Sequence, residues 1–175
     1  MFHEFEFSLR TWQKDCILDR MFAKISFFTF LLSFPLLYSQ SRADQVLGTW
    51  LATDHSVAVG IYKSGREYKA KILWFDPELG SGTPIHTRLD HRNPRPELRN
   101  RKILGMEILE GLVYNAKSHI WEKGKIYDAS SGKFWDSTAQ ITEEGFLKVR
   151  GFWKFSWMGK SLTFKRTNLA NFTKL

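Results

Sequence analysis

The sequence predicts an all-β domain folded as an antiparallel up-and-down barrel, and three observations predict it. Apolar and polar residues alternate with period two in a series of short runs. Turn-forming clusters separate those runs at short spacing. A Gly-x-Trp opens the first run, and an Arg closes the last. Period two marks strands with one buried face, and many short strands joined by tight turns indicate a meander closed as a barrel or stacked as a sandwich.

The chain begins with a segment that stands apart from this pattern. Residues 25–38, ISFFTFLLSFPLLY, carry no charge, and Pro35 interrupts them. As a helix they would span roughly 21 Å, short of the ~30 Å hydrocarbon core of a bilayer. Lys24 before the run and Ser39-Gln40-Ser41 after it complete the pattern of a secretory signal peptide. Residues 1–20 carry four acids against three bases, a net of −1, where such a leader wants a positive start. The expectation is therefore translation from Met21, with 1–20 an over-called extension, 21–41 a signal peptide and 42–175 a single β-barrel domain. The expected setting is periplasmic or secreted, as a monomer with no transmembrane anchor once the leader is removed.

Residues 42–175 hold 22 Lys+Arg and 14 Asp+Glu, so the whole +8 excess of the chain lies there. The one cysteine, Cys16, precedes the apolar run. The expected domain therefore has no disulfide, no cysteine zinc site, no thiol nucleophile and no lipidated cysteine. About 130 residues can bury a core without such staples.

The strands follow in order. In REYKAKILWF, Tyr68, Ala70, Ile72 and Trp74 share one face, and Glu67, Lys69 and Lys71 the other. In KFWDSTAQI, Trp135, Ser137, Ala139 and Ile141 oppose Asp136, Thr138 and Gln140. In FLKVRGFW, Leu147, Val149, Gly151 and Trp153 oppose Lys148 and Arg150; SVAVGIYK and SLTFKRT read the same way. Turns are signalled at Lys63-Ser64-Gly65, Ser130-Ser131-Gly132, Glu143-Glu144-Gly145 and Met158-Gly159-Lys160. By alternation Arg166 points the same way as Leu162 and Phe164, and an inward Arg at a strand end needs a partner such as a Trp face. Gly48 and Trp50 on the first strand met by Arg166 on the last is the closure of lipocalin-like, calycin-type barrels. The alternative is that Trp50 is ordinary core and Arg166 reaches for water.

One stretch breaks the alternation: DHRNPRPELRNRKILG, residues 90–105. From Arg88 to Lys102 there are six basic residues against two acids. Asn93 before Pro94 reads as a helix N-cap followed by proline at the first helical position, and Glu97 and Arg101 stand four apart. This predicts one short helix on a long connection between strands, lying across an open end of the barrel. There Arg95, Arg99 and Arg101 would make the mouth positive and draw in anions. The alternative is a solvated turn whose arginines pair with Asp90 and nearby strand ends.

Together, GTW…TD, DHRNP…LRNRKILG, WEKGKIYDASSGKFW and LKVRGFW…MGKSLTFKR resemble a bacterial secreted family, domain of unknown function 2147. The resemblance covers about residues 46–167, and the D-x-x-N-P-x-x-x-L-R-x-R loop is its most specific part. It implies an exported lipocalin-like barrel and supplies no catalytic residue. The chain departs from the family pattern at Ala129, Phe134-Trp135 and Thr163-Phe164.

Catalytic and metal chemistry find little footing. His86, Asp90 and His91 lie close together, but without a third histidine at ligand spacing. Asp54, His55 and Ser56 are strand neighbours whose side chains diverge, so they form no triad. No cofactor motif, glycine-rich phosphate loop or nucleic-acid-binding motif is present, and the aromatics alternate inward instead of forming a stacking platform. The leading expectation is non-enzymatic binding of a small amphipathic or anionic molecule in the cell envelope, with Trp74, Trp135 and Trp153 as apolar wall. The alternative is a filled barrel whose basic face binds an envelope protein or an anionic surface. Bulky Trp favours filling, whereas Ala70, Ser137, Ala139 and Gly151 leave space.

Overall fold

The structure is a computed structural model describing residues 41–168 apart from positions 81 and 156; the expected N-terminal extension, and the signal peptide up to residue 40, lie outside the described residues. Eight antiparallel strands follow one another: β1 (Gly48–Ala52), β2 (Val57–Ser64), β3 (Glu67–Phe75), β4 (Glu107–Asn115), β5 (Ile120–Asp128), β6 (Lys133–Ile141), β7 (Leu147–Phe152) and β8 (Gly159–Arg166). Each pairs with its chain neighbour, and β8 pairs with β1, so the sheet is a closed barrel with no free edge.

The alternation read from the sequence sets the register of most strands. Ser137 faces Gly151 and Ala139 faces Val149 across β6 and β7, and Leu147 faces Phe164 across β7 and β8. Extra residues interrupt the ladders of β3, β4 and β5. Gly111 on β4 and Lys123 on β5 take φ of +72° and +65° at these irregularities. Such bulges add local twist and help a sheet curl into a barrel.

One end of the barrel is sealed. The 3-10 turn Arg42–Val46 lies beneath it, started by Ser41, whose side chain accepts from the Asp44 backbone N–H. Trp50 Nε1 donates to Val46 O at 2.9 Å, and Trp121 Nε1 to Ala43 O at 3.1 Å. Trp50 and Arg166 are directly paired residues. The guanidinium carbon lies 4.3 Å from the Trp50 ring centroid, while Nη1 donates to Leu47 O at 2.7 Å and Nη2 to Gln45 O at 2.6 Å. Gly48 suits this place because its φ is +122° and a Cβ there would stand 2.7 Å from Arg166 Nη1. Trp50, Trp121, Tyr68, Leu112 and Leu147 are fully buried here, with Tyr68 edge-on to Trp121.

Asp44 ties the turn to the sheet. Its carboxylate accepts from Lys63 Nζ at 2.8 Å and from Tyr68 OH at 2.6 Å. Those two hydrogen bonds, Lys63 first, hold its pKa down at about 2 against an ordinary 3.8.

The short helix expected after Pro94 is only the 3-10 turn Pro96–Leu98. The second proline is the reason. A residue before proline is driven out of the α region, and Arg95 sits at φ −89°, ψ 114°. Asn93 accordingly caps no helix: its Oδ1 accepts from the Arg95 N–H at 2.9 Å in a local turn.

Two outcomes are expected. Arg166→Lys keeps the charge but loses the flat stack and the fork onto two carbonyls, and chemical denaturation should show a loss of about 1–3 kcal/mol. Asp44 has a depressed folded pKa, so its contribution is present above its unfolded value of 3.8 and lost as pH falls through about 2. Thermal melts between about pH 5 and about pH 2 should therefore fall less steeply for Asp44→Asn than for the parent protein.

Candidate functional site

Since successive strands run in opposite directions, the connections 53–56, 76–106, 129–132 and 153–158 all gather at the end opposite the sealed one. Between the aromatic plug and that end the inward residues become smaller or aliphatic. They leave a cavity of about 720 Å³. Val59, Ile61, Leu109, Ile126, Val149 and Leu162 form most of its wall, Ala70 and Gly151 supply the room, and Phe164 and Trp135 add aromatic surface. A volume of this order lies in the usual range for small-molecule sites, ~300–1,000 Å³.

Two charged residues interrupt the apolar lining, Asp128 at the end of β5 and Lys160 at the start of β8. Asp128 Oδ1 accepts from the Ser130 N–H at 2.9 Å and its hydroxyl at 2.6 Å, and Oδ2 from the Ser131 hydroxyl at 2.6 Å. Burial pushes the Asp128 pKa up, but the hydrogen bonds of Ser130 and Ser131 together outweigh it and leave the pKa below 3.8. Lys160 is exposed at the mouth. The arrangement is an apolar chamber whose charged lining residues, Asp128 and Lys160, stand at strand ends beside the entrance.

Of the three tryptophans expected as wall, Trp135 lines the cavity. Trp153 does not line it, contrary to expectation: half-exposed, it borders a separate groove with Phe134 and Lys125, edge-on to Trp135 with ring centroids 6.0 Å apart. Trp74 does not line the cavity either, which corrects the expectation. The β3 ladder slips between its partners Val59 and Ala58, so Val57, a lining residue, faces Phe75, and Trp74 faces Ala58. One extra residue in a strand reverses the faces beyond it.

The arginines of the long loop are a second correction, because Arg95, Arg99 and Arg101 are not on the cavity lining. Asp90 is the cause. It is fully buried, and its Oδ1 accepts from Tyr127 OH at 2.6 Å. Its Oδ2 accepts from Asn93 Nδ2 at 2.7 Å and Arg101 Nη2 at 2.9 Å. A buried carboxylate needs a counter-charge and filled lone pairs, so it claims Arg101 for the fold. Burial, then the Asp90 hydrogen bond, push the Tyr127 pKa up to about 12. Arg99 Nε donates to Asn93 O at 2.9 Å, and Arg95 borders a separate groove of about 120 Å³ beside Tyr127 and Phe134. Asp90 and Asn93 are thus a polar latch, and Pro94 lies on its exposed side. The latch holds the loop over a cluster of Ile72, Phe75, Met106 and Tyr127.

Asp54 Oδ1 accepts from the Ser56 backbone and hydroxyl at 3.0 and 2.6 Å, a turn within the β1–β2 connection. Among the described residues, no group of three His, Cys, Asp or Glu is placed to hold a metal, and no helix is long and apolar enough to cross a membrane. Asp128 and Lys160 were missed in the sequence, although the signal was present. Lys160 alternates with Leu162 and Phe164, as Asp128 does with Ile126.

A closed eight-stranded meander, sealed at one end by a turn and an Arg–Trp stack and hollow at the other, is a lipocalin-like barrel. The chain belongs to the family described as an uncharacterized protein conserved in bacteria (DUF2147), whose profile matches residues 48–166. Among solved structures it is similar to protein HP1028 from Helicobacter pylori, described as belonging to the lipocalin family. That likeness has 21% identity and a TM-score of 0.60, and covers 73% of this chain and 86% of the other. No curated protein matches the chain.

The latch has a measurable consequence. Asp90→Ala strands three donors, one of them on the part-exposed Arg101 guanidinium, and urea denaturation should show a loss of about 2–4 kcal/mol. Tyr127→Phe removes one donor, and the same measurement should show a loss nearer about 1 kcal/mol.

Proposed function

We propose that this protein is a non-enzymatic carrier for a single-chain amphiphile, with the tail inside the barrel and an anionic head at the mouth beside Lys160. The observation that carries this reading is the apolar chamber of about 720 Å³ with charge only at its entrance. Burying a hydrocarbon chain against aliphatic walls is favourable in proportion to the area removed from water. Lys160 then offers a charge-assisted hydrogen bond to a carboxylate or phosphate, and Asp128 is already occupied by its serines. The chain's excess of +8 favours the approach of an anion. The setting in this reading is the cell envelope, supported by the uncharged run at 25–38 alone. A filled barrel acting only as an interaction module is disfavoured by the same cavity volume.

Fluorescence titration with dansyl-labelled undecanoic acid tests the reading. The parent protein should bind it with an emission blue shift. Ala70→Trp, which places a large ring in the chamber, should abolish binding while the barrel's circular dichroism persists. Lys160→Ala should weaken binding about tenfold. Equal binding by all three proteins would place the probe outside the barrel and end the proposal.

A further inference from the structure

We infer that the β7–β8 loop is a membrane-docking face that seats the mouth of the barrel on an anionic lipid surface. Within residues 153–158, Trp153 is 50% exposed, Phe155 56%, Trp157 74% and Met158 47%. Single exposed apolar side chains are ordinary on a protein surface, but four together on one loop are not. The rings of Phe155 and Trp157 stack with centroids 6.1 Å apart and planes 15° from parallel, so the loop carries a preformed apolar tip.

Part of the backbone behind this tip is paired. Phe155 N donates to Trp153 O at 2.6 Å, Met158 N to Phe155 O at 2.9 Å and Trp153 N to Met158 O at 3.3 Å. Arg150 Nη2 donates to Trp157 O at 3.3 Å. Peptide groups already bonded lose little on leaving water, which suits a segment that enters an interface.

The side chains favour lipid as the occupant. Trp is amphipathic and prefers the headgroup region, and cations beside Trp and Phe are the composition of interfacial anchors on anionic bilayers. Lys154 lies within the loop and Lys160 just beyond it, both exposed. The location agrees, because Met158, Gly159 and Lys160 also line the cavity. A bilayer seated on the loop therefore faces the entrance. Docking stands on the loop alone, whereas passage of an amphiphile from bilayer to barrel rests on the carrier reading above.

The test uses the chain from Ser41 onward, whose barrel is hydrogen-bonded into a closed ring within residues 48–166. The apolar run at 25–38 then contributes nothing. Cosedimentation is measured with vesicles of phosphatidylethanolamine and phosphatidylglycerol, and with phosphatidylcholine alone. The parent protein should sediment with the anionic vesicles and much less with the zwitterionic ones. The double variant Phe155→Ser/Trp157→Ser should lose at least about tenfold in affinity, and Lys154→Glu should reduce binding to the anionic vesicles specifically. Both variants should still bind dansyl-labelled undecanoic acid in solution, so failure to dock and failure to carry are separately visible. Absence of vesicle binding, or equal binding by parent and double variant, would overturn the inference and leave a protein partner as the occupant of the loop. Equal affinity for the two vesicle types would overturn its anionic part.

Discussion

The stack of Arg166 on Trp50 is the contact on which the rest of the barrel depends. It joins the last strand to the first, and its two nitrogens bind carbonyls of the N-terminal turn, so one side chain holds three segments of chain together. A sheet of eight strands without that closure would present two edges of unpaired backbone. With it, Trp50, Tyr68 and Trp121 gather at one end and the turn covers them. The space they leave lies toward the other end, and the polarity of the site follows from where the plug sits.

The open end is governed by a different requirement. A carboxylate with no exposure to water cannot remain unpaired, and Asp90 draws together Tyr127 from the sheet and Asn93 and Arg101 from the long loop. The connection of 31 residues between β3 and β4 is thereby fastened along the barrel margin. The basic charge of that loop is divided between structural pairing and solvent, and the cavity mouth takes its cation from Lys160 instead. The β7–β8 loop, on the other flank of the same opening, carries the exposed aromatic surface. Entrance, charge and exposed apolar surface are thus adjacent.

Much of this was legible in the residues. Period-two alternation and turn clusters are local signals, because a strand's side chains alternate by backbone geometry whatever lies beyond them. Gly48, Trp50 and Arg166 could be matched because barrel closure brings the first and last strands together. Trp74 escaped because a bulge changes parity, and nothing in KILWF marks where the extra residue falls. The short helix expected on the long loop is present as the 3-10 turn Pro96–Leu98, and it starts beyond Pro94 because the second proline holds Arg95 out of the helical region.

What the sequence by itself determined is the all-β meander, its closure and its family, since these rest on alternation, turn residues and spaced motifs along the chain. Only the tertiary structure decided that Asp90 is buried and holds Arg101, that Trp74 turns away from the lining while Trp135 faces it, and that the barrel is hollow. The physical reason is the same in each case. A side chain's partner, and the volume left unfilled, depend on what residues distant in sequence place beside it, and that is a property of the packed interior.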